Sequence, residues 1–285
     1  MTEAGTAPDT RSSPFDSQGW RDVRRADFGP ANAVPTMLSP MERKFYLWLA
    51  EHWARDRGAI VDLGSFVGGS TACLAQGRAR AGRVAGIHAY DRFRASEGVK
   101  ENLLYPGGIA PFEGEDIYPL AQLLLAPFSP PVLLHKGAIE AEHWTEGPIE
   151  ILCVDAAKTT LVADRIAEEF FPHLIPGRSV VIQQDYLHWK VPWIPAQMEW
   201  LSDCFTPVAI VPNNTAAFLC TRVPGAADLA AARLAGQADH AIQAGLLGAS
   251  ARIAPFGVTD RLERQRLALE LNPGARAAKR FRVRP

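Results

Sequence analysis

The stretch Val61-Asp62-Leu63-Gly64-Ser65-Phe66-Val67-Gly68-Gly69-Ser70 decides the fold. The apolar run at 59–63 is stopped by glycine and reads as a buried strand. Residues 64–70 then read as a glycine-rich turn and 71–79 as a helix. Glycine lets a backbone adopt positive φ and come close to a ligand. The helix N-terminus that follows offers unpaired N–H groups to an anionic or carboxylate-bearing ligand. A dinucleotide fingerprint, G-x-G-x-x-G, needs glycine where Phe66 stands, and a P-loop, G-x-x-x-x-G-K-[ST], is absent.

Working outward, strands are expected at 83–91, 131–136, 149–155 and 178–185, with a helix at 160–174 stopped by Pro176-Gly177. Strands alternating with helices imply right-handed crossovers and a mostly parallel sheet covered on both faces. The alternation ends at two strand-like runs, 206–212 and 216–222, separated only by Asn213, Asn214 and Thr215. So short a linker forbids a parallel crossover and makes this pair an antiparallel hairpin. The expected fold is α/β, a Rossmann-like seven-stranded, mostly parallel sheet with a terminal antiparallel hairpin and helices on both faces.

Upstream, Ser39 as N-cap and Pro40 at the first helical position start an amphipathic helix carrying Met41, Phe45, Trp48, Leu49 and Trp53, which ends near Gly58. Residues 1–35 lack periodicity and read as a disordered N-terminal arm. Residues 36–222 form the domain, and 223–285 a helical C-terminal extension, with helices at 226–247 and 259–271 and a basic run at 279–285. That run reads as a solvated tail or as a partner contact.

The chain has 285 residues and a formal net charge of -1, which argues against nucleic acid as a partner. No apolar run reaches the ~18–20 residues of a membrane span, and no basic start precedes an apolar stretch as in a secretory signal. Cys73, Cys153, Cys204 and Cys220 stand singly, which gives neither a zinc knuckle nor a disulfide framework. A cytoplasmic protein without membrane contact is expected, with a homo-oligomer left open.

The pattern D-x-G-x-x-x-G at 62–68 resembles the first motif of class I S-adenosylmethionine-dependent methyltransferases. The resemblance implies that this turn, with Asp62, Gly64, Ser65, Gly68, Gly69 and Ser70, cradles the methionine part of the cofactor. It also implies that Asp91, ending the second strand, holds the ribose hydroxyls. A carboxylate can accept two hydroxyls in a fork. The other reading makes these ordinary turn glycines and Asp91 a loop cap. Gly137 and Ala138, after the third strand, stand where such a fold contacts adenine, or at an ordinary strand-to-loop transition.

Strand four ends at Asp155 and strand five at Gln183-Gln184-Asp185-Tyr186. Ligands of open α/β sheets lie beyond the carboxyl ends of the strands, and neighbouring strands ~4.8 Å apart allow one divalent cation to span two carboxylates. Residues 58–222 look like the macrocin-type sugar O-methyltransferases of natural-product pathways, whose fifth strand ends in D-D-Y and whose aspartates bind Mg²⁺. The resemblance makes Asp155 both a cofactor neighbour and a metal ligand, and Asp185 with Tyr186 the end of the second motif. Gln184 departs from it, standing where the family has the first aspartate of its pair. Weaker metal binding, metal-independent chemistry and a catalytically inactive cofactor-binding protein all stay open. Without metal, His188 is the first candidate base and His143 the second, with Lys158 an electrostatic helper or a solvated side chain. The long connection at 92–131 and the Trp189–Pro195 segment are candidate walls for a small-molecule acceptor. The implied reaction is methyl transfer to an oxygen of a sugar or glycosylated metabolite.

Overall fold

Seven strands, β1 (Ala59–Leu63), β2 (Ile87–Asp91), β3 (Leu133–Lys136), β4 (Ile149–Val154), β5 (Val180–Gln183), β6 (Phe205–Val211) and β7 (Thr215–Cys220), form one sheet in the computed structural model, which describes residues 13–285. Their order is β3-β2-β1-β4-β5-β7-β6. β1 to β5 run parallel, and β7 is antiparallel to both β5 and β6. This is the expected sheet and terminal hairpin. β2 is shorter than the 83–91 expected from sequence. β1 pairs from Ile60↔Ile87 onward, so residues 83–86 have no strand to pair with.

The helices are α1 (Pro40–Trp48), α2 (Gly69–Arg80), α3 (Glu97–Val99), α4 (Tyr118–Leu125), α5 (Thr160–Phe170), α6 (Trp193–Trp200), α7 (Ala226–Ala231), α8 (Asp239–Ile253) and α9 (Thr259–Leu271). Alternation along the strands sorts the core into two layers. Ile60, Ile87, Ile151, Val180 and Ile182 face α1 and α2. Val61, Leu63, Leu152 and Val181 face α5, α6, α8 and α9. Ser39 caps α1 as expected, its hydroxyl accepting from Glu42 N (3.3 Å) while the Glu42 carboxylate accepts from Ser39 N (2.8 Å). Among the described residues no helix is long and apolar enough to cross a membrane.

Three expectations change. Residues 1–12 lie outside the described residues, but 13–35 are not a loose arm. They form 3₁₀ segments Gly19–Asp22 and Arg25–Ala33, with Phe15, Trp20, Phe28 and Val34 buried. Trp20 packs edge-on to Phe45 (centroids 5.1 Å) and Phe15 lies 5.0 Å from Trp53, so the aromatic face of α1 supplies the burial that the segment's own periodicity does not announce. The helix expected at 226–247 is two helices, because the buried Asp164 carboxylate binds Leu234 N and Ala235 N (both 2.8 Å) and holds the break between α7 and α8. The basic tail is tied down: Phe281 is buried against Trp189 and Trp193, and Asn272 Oδ1 accepts from Arg282 N (2.8 Å) and Val283 N (2.9 Å). The long connection at 92–131 has a small core of its own, Phe93, Leu104, Ile117 and Ala121 packed on Val67 of the glycine turn.

Candidate functional site

The strand order reverses at β1: β2 and β3 lie on one side and β4 on the other. Such a switch point opens a crevice at the carboxyl ends, where ligands of open α/β sheets bind. Here a narrow cleft of about 30 Å³ is lined by Gly64, Ser65, Phe66, Gly69, Ser70 and Asp155, and is roofed by Pro35, Thr36, Met37 and Leu38. Gly64 (φ +98°) turns the chain out of β1, with Gly64 N donating to Tyr90 O (2.8 Å) and Asp155 N to Leu63 O (2.8 Å). A Cβ on Gly64 would lie 3.1 Å from Asp155 O, so glycine is needed for both conformation and space.

Asp91 closes the turn from β2. Its Oδ2 accepts from Phe66 N (2.9 Å) and its Oδ1 from Phe93 N (2.6 Å). Burial raises its pKa while these two N–H groups pull it back. Each carboxylate oxygen has one further acceptor site, which is what a pair of hydroxyls would need. Phe66 sits at φ +54°, a conformation that bulky residues rarely adopt. Ser65 Oγ is buried without a partner at the same cleft. Such an orphaned hydroxyl calls for a function.

Asp62 and Gly68 shape the turn without lining the cleft. The buried Asp62 carboxylate accepts from Ser70 Oγ (2.7 Å) and Thr71 Oγ1 (2.5 Å), fastening β1 to α2. Burial pushes its pKa up to about 6 against the pull of those hydroxyls. Gly68 (φ +95°) caps α2 and faces Leu125. Gly137 joins the Asp91 corner through its N–H to Asp91 O (3.0 Å), and Ala138 begins the short 3₁₀ turn after it.

Asp155 and Asp185 are brought together, and Lys158 stands between them. Its ammonium donates to Asp155 Oδ1 (2.5 Å) and to Asp185 Oδ2. Burial pushes Asp155 upward, Lys158 draws it back and Asp185 adds to the push. The open third of the Asp155 side chain tempers the whole effect. Burial alone would lower the Lys158 pKa, but the two carboxylates outweigh it and keep the ammonium charged.

This arrangement does not fit the Mg²⁺ site expected from Asp155, Gln184 and Asp185. The ammonium fills the position between the carboxylates, and Gln184 points elsewhere. Gln184 Oε1 accepts from Tyr46 OH (3.0 Å), with Thr215 Oγ1 at 3.0 Å from the same oxygen on the α1 side of the sheet. Among the described residues no three His, Cys, Asp or Glu side chains converge as a metal set.

The two candidate bases also change. His188 N donates to Asp185 O (2.8 Å), so the residue is beside the site. Burial lowers its pKa, and its Nδ1 accepts from Lys190 N (3.3 Å). A neutral ring bonded that way carries its proton on Nε2 and offers a donor there, not a base. His143 is exposed in the loop before β4, beside Arg165 and Glu169 (3.5 Å) of α5, and is no part of the site. Tyr186 is core: it is buried against Phe218 (centroids 5.1 Å).

Two supports were not legible beforehand. The Pro35–Leu38 roof comes from a segment without periodicity. The C-terminal segment grips the site from behind: Ala278 N donates to Lys158 O (2.9 Å), Thr160 N to Arg276 O (3.1 Å), and Gln265 Nε2 to Tyr186 O (2.8 Å) and His188 O (2.9 Å). Trp193 lies under the same loop, its Nε1 donating to Ala157 O (2.9 Å), and so serves the core instead of an acceptor wall.

No family model and no curated protein matches the sequence. Among solved structures, the chain is similar to the SAH-bound Podospora anserina methyltransferase PaMTH1, at 13% identity over 74% of this chain and 89% of that one, with a TM-score of 0.44. It is similar also to cofactor-bound Rv0187 from MTB, at 17% identity over 75% of this chain and 100% of that one, with a TM-score of 0.46.

Proposed function

We propose that this chain is an S-adenosylmethionine-dependent methyltransferase acting on an oxygen of a small molecule, with sugars and glycosylated metabolites as the first acceptors to test. The observation that carries the reading is the Asp91 corner. A carboxylate at the end of β2 is tied through Phe66 N to a strained glycine turn, and an orphaned Ser65 hydroxyl stands beside it. That donor and acceptor set suits a ligand with a ribose diol at one end and a charged amino acid at the other. Asp91 would accept the ribose hydroxyls. Ser65 and the N-terminal N–H groups of α2 would meet the methionine carboxylate. Asp155, on the cleft wall, would face the positively charged centre.

When bound, S-adenosylmethionine would supply a methyl carbon made electrophilic by its sulfonium, the carbon–sulfur pair going to sulfur as the carbon–oxygen bond forms, and the acceptor proton would pass to the Asp155 carboxylate on the cleft wall, whose proton affinity burial raises. The protein's part is to align the acceptor and exclude water, and alignment supplies much of the acceleration. The Pro35–Leu38 roof and the C-terminal grip on the 155–160 loop are the parts that exclude water and hold the loop still. The test is calorimetric titration with S-adenosylhomocysteine in chelator. Micromolar binding supports the reading, and absence of binding refutes it.

A further inference from the structure

The cluster Asp155–Lys158–Asp185 is unusual in what its ammonium has left over. An ammonium has three donors and no acceptor. Two of the three are spent, on Asp155 Oδ1 (2.5 Å) and on Asp185 Oδ2. The side chain is nevertheless 48% exposed, so the third N–H is open to a ligand at the carboxyl edge of the sheet. The position is fixed from three directions. Lys158 N donates to Ala156 O (2.7 Å), Lys158 O accepts from Ala278 N (2.9 Å), and the neighbouring Thr159 pairs with Ala277 across a short antiparallel bridge. A lysine held this way is not a solvated surface residue.

We infer that Lys158 is the resident cation of the acceptor site, taking the place between Asp155 and Asp185 that a divalent ion would take and presenting its free N–H to the acceptor oxygen. The inference rests on the methyltransferase reading for the identity of the acceptor, but the cation's place stands on the geometry alone. Two carboxylates that converge on one nitrogen would otherwise repel each other, and one positive charge relieves that repulsion. A divalent ion would chelate two vicinal oxygens of an acceptor. One remaining N–H serves one oxygen, so the site is built for a monodentate acceptor. Gln184 fits the same logic: its carboxamide is committed to Tyr46 on the opposite face of the sheet and contributes nothing to a cation here.

The experiment is a Mn²⁺ titration of the full chain, followed by the loss of the free-ion electron paramagnetic resonance signal. Wild type should leave the signal unchanged. Lys158→Ala and Lys158→Gln, with folding checked by circular dichroism, should each gain one weak Mn²⁺ site, in the range of about 10⁻⁴ to 10⁻³ M. Lys158→Arg should stay metal-free, because it keeps the charge. Adding Asp185→Asn to Lys158→Ala should abolish the gained site. Mn²⁺ uptake by wild type overturns the inference, and so does a folded Lys158→Ala that takes up none. Titration with S-adenosylhomocysteine in chelator runs in parallel. Its failure would remove the cofactor reading and leave the cation result intact.

Discussion

Removing the Asp91 carboxylate tests the site at the point where fold and chemistry meet. In Asp91→Ala, Phe66 N and Phe93 N lose acceptors at 2.9 and 2.6 Å. A hydrogen bond to a charged group contributes about 1.5–3 kcal/mol. The two share one partly exposed acceptor and do not add fully, so the expected loss of stability is about 3 kcal/mol. The left-handed Phe66 (φ +54°) then has nothing to hold it, and such a conformation costs about 1–2 kcal/mol. The turn should relax and carry Ser65 with it. Affinity for S-adenosylhomocysteine should fall by at least about 1.5 kcal/mol, roughly tenfold. Asp91→Asn should behave almost as badly, since its amide nitrogen must face one of the two N–H donors. Urea unfolding reads the first effect and calorimetry the second. A variant destabilised as expected but binding with wild-type affinity would make Asp91 a loop anchor and remove it from the ribose role. A variant of unchanged stability would refute the hydrogen-bond account itself.

Three further perturbations probe the frame of the site. Buried Asp62 takes up its proton near pH 6 when folded, against about 3.9 in an unfolded chain. Its charge therefore costs the folded state above pH 6, and this group's contribution to stability rises as pH falls from about 6 to 4, by up to about 3 kcal/mol. Asp62→Asn keeps an acceptor for Ser70 and Thr71 and should remove that slope, and matching urea-stability profiles for the two proteins at pH 7 and 5 would disprove the assignment. Gly69→Ala would put a Cβ 2.4 Å from Thr36 Cβ and 2.6 Å from Pro35 O, and should cost about 1–3 kcal/mol and expose residues 35–38 to limited proteolysis. An unaltered digestion pattern would show that the roof does not rest on the turn. Phe281→Ala empties a buried site beside Trp189 and Trp193 and should cost about 3 kcal/mol with a red shift in tryptophan emission. A full-length melt unchanged by it would show the tail to be loose.

The fold was legible because its signals are local. A five-residue apolar run stopped by glycine, an acid at the next strand's end and a three-residue linker between two strand-like runs each carry a steric or topological argument that needs no partner. The site was legible only up to direction. Asp155 and Asp185 follow the ends of the neighbouring strands β4 and β5, as the sequence implies, whereas Gln184 turns to the other side of the sheet. The period of two accounts for this: Val180, Ile182 and Gln184 share a face, and the first two pack toward α1 and α2. The alternation along β5 therefore points Gln184 away from the carboxylate pair. Other features had no local signal. The 13–35 segment is ordered by the aromatic face of α1, and the break between α7 and α8 is made by Asp164, some 70 residues away in sequence. For Lys158 the sequence leaves an electrostatic helper and a solvated side chain both open, because only the fold shows that one nitrogen meets both carboxylates.

The charge left at the carboxyl edge follows from that lysine. Asp155 and Asp185 set two carboxylates against the single Lys158 ammonium, so the cluster leans negative even though burial pushes the Asp155 proton affinity up. A divalent ion in the lysine's place would cancel the two carboxylates and leave the Asp155 side of the cleft neutral. A sulfonium ligand is cationic and its demethylated product is not, so a cleft that keeps its negative charge favours the reactant over the product. A lysine in the cation position can thus serve both partners of the proposed reaction. It gives one donor to the acceptor oxygen and leaves enough negative charge to hold the sulfonium, a combination that neither an empty carboxylate pair nor a metal-filled one provides.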